Sequence, residues 1–154
     1  MRWKDIGDVD CSVARTLSVI GDRWTLLVLR DAFLGVRRFE DFQADLGVSR
    51  HLLADRLAVL VDHGILERRP YSERPVRNEY KLTAKGLDLY PVIISIAGWG
   101  DRWMSGEDGP PLRLRHQPCG EIITPALTCP HCADPIDPRR MTPLGRATPP
   151  APPA

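Results

Sequence analysis

The apolar pattern changes period at Gly64, and that change constrains the fold more than any other feature of the chain. Before Gly64 apolar residues recur at helical spacing; just after it they alternate as in a strand. Val13, Leu17 and Ile20 follow i, i+4, i+7 and predict a short first helix that Gly21 ends. Asp22 suits the N-cap of a second helix carrying Trp24, Leu26, Leu27, Val28, Leu29, Phe33 and Leu34. Apolar residues cover most of its circumference, which predicts a central place in the core, and Gly35 terminates it. A third helix has Phe39, Phe42 and Leu46 on one face. Gly47-Val48 makes a tight turn, and Ser49 is a good N-cap for a fourth helix burying Leu53, Leu57 and Leu60. Two helices joined by so short a turn fit a helix-turn-helix.

Beyond Gly64, Ile65-Leu66-Glu67-Arg68-Arg69 reads as one strand and Asn78-Glu79-Tyr80-Lys81-Leu82 as another. Between them, residues 70–77 form an exposed hairpin tip, where Pro75 permits only an edge or a loop. Thr83 caps a long last helix carrying Leu87, Tyr90, Ile93, Ile94, Ile96, Ala97, Trp99 and Trp103, which Pro91 bends or divides. The expected fold class is mainly α with a small β-hairpin, in the order of a winged helix-turn-helix with a long C-terminal helix. Ile93, Ile96, Trp99 and Trp103 exceed what one small winged helix can bury, so that helix is expected to serve dimerisation; the alternative is packing on the protein's own first helix.

A recognition helix presents the side chains of its N-terminal end to base edges in the major groove. Here those are Ser49, Arg50 and His51, with Ala54 and Asp55 a turn later, on the face away from Leu53 and Leu57. Arg68, Arg69, Arg74 and Arg77 stand against Glu73 alone at the hairpin tip, a local positive excess suited to phosphates. Arg37 and Arg38 precede the third helix and could also reach phosphates. Local clustering has to carry this reading, because the formal net charge is only +1. The case rests on the co-occurrence of helix, turn, capped helix and basic hairpin; each taken singly is also what an ordinary solvated surface looks like. His63 reads as a helix C-terminal residue favoured by the macrodipole rather than as a ligand.

From Cys11 to Trp103 the chain resembles the HxlR-type regulators, winged-helix proteins related to the MarR group. The resemblance is carried by Cys11, residues 20–27 (Ile-Gly-Asp-Arg-Trp-Thr-Leu-Leu) and residues 35–39 (Gly-Val-Arg-Arg-Phe). It continues through Leu52-Leu53-Ala54-Asp55-Arg56-Leu57, Gly64-Ile65-Leu66-Glu67-Arg68-Arg69 and residues 79–86 (Glu-Tyr-Lys-Leu-Thr-Ala-Lys-Gly). Ser12 departs from it, where a proline often follows the cysteine. The resemblance implies a homodimer joined mainly by the first and last helices, on a DNA operator of two-fold symmetry. It implies that the helix from Ser49 enters the major groove, with Arg56 in the DNA-facing set, and that the loop near Arg74 follows the backbone. Repression is the expected outcome. Cys11 matches a position where some relatives carry a redox-reactive cysteine; a thiolate near a helix N-terminus has a lowered pKa and reacts with oxidants or electrophiles. The other reading of Cys11 is a small buried apolar residue.

The expected organisation is a DNA-binding and dimerisation domain over 11–104, a Gly- and Pro-rich linker over 105–111, a Cys/His segment over 112–138 and a disordered Pro-rich tail over 139–154. His116-x2-Cys119 and Cys129-x2-Cys132 are spaced as paired ligands of a tetrahedral structural zinc ion, giving a zinc-ribbon-like appendage. Ile122, Ile123 and Leu127 could form a small hairpin between the two halves. His131 could replace His116 only with awkward geometry. Two alternatives stay open: a ribbon that has lost its metal or uses a disulfide, and thiol redox catalysis at Cys-Pro-His-Cys. The second is disfavoured because Ala133-Asp134-Pro135 breaks the helix such chemistry uses.

No Gly-rich phosphate loop, Ser-His-Asp set or paired-carboxylate set is evident, so an enzyme is not expected. The competing function is a winged-helix protein-interaction module that does not bind DNA. No apolar run reaches the roughly 18 residues of a membrane span. The opening Met1-Arg2-Trp3-Lys4-Asp5 is charged, unlike a signal peptide, so the expected compartment is the cytoplasm.

Overall fold

The computed structural model describes residues 3–144, and residues 145–154 of the expected tail lie outside the described residues. The chain divides into two compact units, with the boundary between Trp103 and Met104.

The first unit opens on a 3-10 turn, Trp3–Asp8, that periodicity does not announce; it packs on the first helix. Helix α1 is Ser12–Ile20 and α2 is Arg23–Phe33. Asp22 caps α2 by accepting from the backbone N–H groups of Trp24 and Thr25 at 3.0 and 3.2 Å. Helix α3, Phe39–Leu46, ends in Gly47 at φ 62°, a left-handed conformation that favours glycine. Helix α4, Arg50–Asp62, starts at Ser49, whose hydroxyl accepts from the Leu52 N–H at 3.3 Å. The turn between α3 and α4 is further held by Gln43 Nε2 donating to the Val48 carbonyl at 3.3 Å.

Val28 and Leu29 of α2, Phe42 of α3, Leu53, Leu57 and Leu60 of α4, and Ile65 and Leu66 beyond it form the buried core. Every one of the apolar faces expected of α2, α3 and α4 contributes. The hairpin that follows, β1 (Leu66–Glu73) with β2 (Val76–Leu82), is antiparallel and pairs Leu66 with Leu82. Its strands run further than alternation suggests, so the turn shrinks from the expected 70–77 to Arg74-Pro75. Pro70 is accommodated because the register slips between Pro70 and Ser72, a bulge at which a ladder N–H is not needed. A bridge between Arg38 and Glu79 adds the entry to α3 as a third edge of the sheet.

Thr83 does cap a helix, but a short one: α5 is Ala84–Leu87, and the long α6 is Tyr90–Met104. Pro91 falls in the first turn of α6, where its missing N–H costs nothing, so the expected helix is divided. Gly86 is buried, and a Cβ there would collide with the Ile65 carbonyl oxygen; only glycine lets α5 lie this close to the sheet. Phe33 and Tyr90 stack with centroids 5.0 Å apart, and Ile93 packs on the core.

The second unit has little regular structure. Strands β3 (Leu114–Arg115) and β4 (Ile122–Ile123) pair antiparallel. Ile122 and Ile123 therefore pair with residues ahead of His116, not with Leu127; Thr128 and Pro135 bridge in a second, separate loop. A 3-10 turn covers Pro138–Arg140. None of the described residues of this unit is buried.

Candidate nucleic-acid interface

The outer face of α4 carries Arg50, His51, Ala54, Asp55 and Ala58, all exposed, opposite Leu53, Leu57 and Leu60. This spacing is set by the helix: residues three and four apart share a face. Arg50 lies over the Phe39 ring at 4.7 Å, a cation–π contact that holds its side chain at the N-terminal end of the helix. His51 is almost wholly exposed and sits 3.5 Å from Asp55 one turn on. Ser49 uses its oxygen for the cap and retains an O–H to donate.

The wing brings basic side chains to the same end of the unit. Arg74 and Arg77 are exposed, and among the described residues neither forms an ion pair. The other wing charges are partly neutralised: Arg69 pairs with Glu67 at 2.6 Å and Lys81 with Glu79 at 2.7 Å. The Lys81 hydrogen bond holds the Glu79 carboxyl below the usual carboxylate range, with smaller contributions from the Lys81, Arg37 and Arg38 charges. Arg68 meets a neutral partner: with its amide oriented to accept, Asn78 receives Arg68 Nε at 3.2 Å and Nη2 at 2.7 Å.

The three remaining arginines of the expected face differ in character. Arg38 is exposed and stacks on Tyr71 of β1 at 4.7 Å, joining the α3 entry to the wing. Arg37 is half-buried; its carbonyl accepts from the Tyr80 N–H at 2.8 Å and its Nη1 is enclosed without a hydrogen bond. Arg56 points back into the fold, with Nε 3.1 Å from the Asp22 carboxylate, a charge contact without hydrogen-bond alignment. Asp22 thus caps α2 and steadies α4. This coupling between positions 34 apart gives no periodic signal, so sequence reasoning grouped Arg56 with the outward-facing residues.

Cys11 is exposed and is the N-cap residue of α1. The backbone N–H groups of Ala14 and Val13, in that order, and the Arg15 charge hold its thiol below the ordinary cysteine range. None of the four cysteines is disulfide-bonded. In the second unit His116 Nδ1 lies 3.2 Å from Cys119 Sγ, and Cys129 and Cys132 share a tight turn closed by the Ala133 N–H on the Cys129 carbonyl. Among the described residues no three His, Cys, Asp or Glu side chains gather where they could hold a metal, so the two pairs stay separate.

A capped helix with an exposed polar face, a tight turn before it and a basic wing beside it define a DNA-binding transcription regulator of the winged helix-turn-helix type. Residues 19–108 match the HxlR-like helix-turn-helix family, and the chain belongs to that family. An uncharacterised HTH-type transcriptional regulator of Mycobacterium tuberculosis is 48% identical over 132 residues, covering 86% of this chain and 84% of the relative. The crystal structure of PA1607, a candidate transcription factor, superposes with a TM-score of 0.80 at 35% identity, covering 91% of this chain and 97% of that one. The oxidised form of the redox regulator HypR superposes with a TM-score of 0.57 at 30% identity, covering 62% of this chain and all of that one. The family and these relatives are regulators, not enzymes. No helix among the described residues is long and apolar enough to cross a membrane.

Proposed function

We infer that the protein is a homodimeric, sequence-specific repressor that places α4 in the major groove of a two-fold-symmetric operator and lays its wing along the phosphate backbone. The observation that carries this reading is the pairing of exposed Arg50 and His51 on α4 with the unpaired Arg74 and Arg77 of the wing. Arg50 and His51 offer donors to base edges. Arg74, Arg77 and Arg38 supply the sequence-independent attraction, while the pairing of Arg69 and Lys81 lowers their share.

Dimerisation is supported by the apolar surface of α1 and α6. Val13, Ile96, Trp99 and Trp103 are between 51% and 67% exposed, and α6 buries no residue within one chain. A patch of that kind signals an interface. The alternative, that α6 packs on the protein's own α1, finds no support in these exposures.

The proposal is tested by a gel shift with DNA from upstream of the protein's own gene, at two salt concentrations. Selective binding that weakens steeply with salt supports it. Absence of binding at low salt favours the protein-interaction reading.

A redox response is the second part of the reading, favoured by the exposed Cys11 at the start of α1, beside the proposed interface. A lowered pKa keeps thiolate present below the pH at which an ordinary cysteine is protonated. Alkylation of Cys11 should therefore persist at mildly acidic pH, and oxidants should change DNA binding by the native chain but not by Cys11→Ser. Equal oxidant sensitivity in both removes this role.

A further inference from the structure

The second unit presents a physical problem. It contains paired strands and closed turns, yet no described residue in it is buried. Ile122, Ile123, Leu127 and Ile136 are all exposed. A segment this short cannot be held by apolar burial, and small domains of this kind usually rely on disulfides or a metal. No disulfide is present.

Its two turns are built alike. In the first, the Gly120 N–H donates to the His116 carbonyl at 2.7 Å, and Gly120 has φ 76°. In the second, the Ala133 N–H donates to the Cys129 carbonyl at 2.8 Å, and Ala133 has φ 60°. Each turn therefore runs donor residue, two spacers, donor residue, left-handed residue. Ala133 is the one non-glycine at positive φ among the described residues, a conformation that costs an alanine about 1–2 kcal/mol. Each turn also closes the tip of a small hairpin. The first is held by the His116 N–H to the Glu121 carbonyl at 2.8 Å, the second by the Cys129 N–H to the Asp134 carbonyl at 2.8 Å.

In the first turn the two donor atoms already face one another. His116 Nδ1 and Cys119 Sγ are 3.2 Å apart, and the second turn repeats the same backbone closure around Cys129 and Cys132. His131 is a spacer of the second turn, between its two donor residues.

We propose that this unit holds one structural zinc ion through His116, Cys119, Cys129 and Cys132, and that binding draws the two prepared turns together. The turns are half-sites, apart in this structure, and the metal is what joins them. One imidazole and three thiolates complete a four-coordinate tetrahedral shell with no open position, which makes the role structural, not catalytic. Each thiol that binds releases its proton to solvent. The metal then supplies the folding energy that the absent core does not.

The test uses the full-length reduced protein. Metal content measured after purification should be about one zinc per chain. After chelation, titration with Co2+ should produce the visible absorption of tetrahedral thiolate-bound cobalt. Cys119→Ser and Cys132→Ser should each lose the zinc and the cobalt bands, His116→Ala should shift or lose them, and His131→Ala should keep both. Trypsin should cut at Arg115 in chelated protein and leave it intact in the zinc form. The thermal melt of the first unit, followed by circular dichroism, should be unchanged in all four variants, which separates metal loss from global misfolding. A reduced protein that carries no zinc and gives no cobalt spectrum overturns the proposal. So does metal retained by both cysteine variants, or a Cys129–Cys132 disulfide found by mass in the freshly isolated chain.

Discussion

The two units of this chain are stabilised in opposite ways. In the first, Phe42, Leu29, Leu53, Leu57 and Leu60 are fully buried by three helices and a sheet, and burial of apolar surface dominates. In the second, backbone hydrogen bonds close two short hairpins around side chains that all reach solvent. The lesson concerns what a substitution does: the first unit responds to lost volume, the second to lost turn geometry or lost ligands.

The largest effect should come from the first core. Leu57→Ala should destabilise the first unit by about 2–5 kcal/mol in denaturant unfolding. The matching change in the second unit, Ile122→Ala, should leave that transition in place. An equal loss in both would erase the contrast. Gly86→Ala should come next, at about 1–3 kcal/mol, because its Cβ meets the Ile65 carbonyl. A neutral result would show that α5 can move off the sheet. Ser49→Ala removes one cap from α4 and should cost about 1 kcal/mol.

The smallest effect concerns Asp31, buried in α2 with one oxygen on Arg30 and Oδ2 without a hydrogen bond. Burial raises its carboxyl pKa, against the opposing hydrogen bond and charge of Arg30. A folded-state value above the unfolded one means that the native state holds its proton longer. Stability contributed by this group is therefore greatest at low pH and falls as pH rises through the folded value. Melting across about pH 4 to 7 should show this component in the native chain and not in Asp31→Asn. An identical pH profile in both would show that Arg30 cancels the burial cost.

The same contrast explains what the sequence disclosed. Apolar spacing located α2 to α4 because periodicity is the trace of a buried face; it also located α1, whose Val13 and Leu17 stay exposed, and Asp22, Ser49 and Thr83 marked helix starts through their own capping chemistry. The hairpin was legible in its two strands and not in extent, since Pro70 masked the bulge that carries β1 onward to Glu73. The division of the last helix followed from Pro91, yet the place of the break depends on how Thr83 and Gly86 seat α5 against Ile65. In the second unit, cysteine spacing showed paired donors, but the pairing of β3 with β4 rests on hydrogen bonds that leave no apolar pattern. On the face proposed for DNA, the exposure of Arg50, His51, Arg74 and Arg77 could be placed from helix phase and turn position. Arg56 could not be separated from them, because its partner Asp22 lies on another helix.

The central claim divides labour between α4 and the wing, and comparing Arg50→Ala with Arg74→Ala tests it most directly. Binding of each variant to a cognate and a scrambled duplex would be followed by fluorescence anisotropy over a series of salt concentrations. Arg50→Ala should reduce discrimination between the two duplexes by about 1–3 kcal/mol and leave non-specific affinity nearly intact. Arg74→Ala should weaken both duplexes alike and reduce the salt slope by about 1. Unchanged affinity, discrimination and salt slope in both variants would contradict the assignment of this face to DNA.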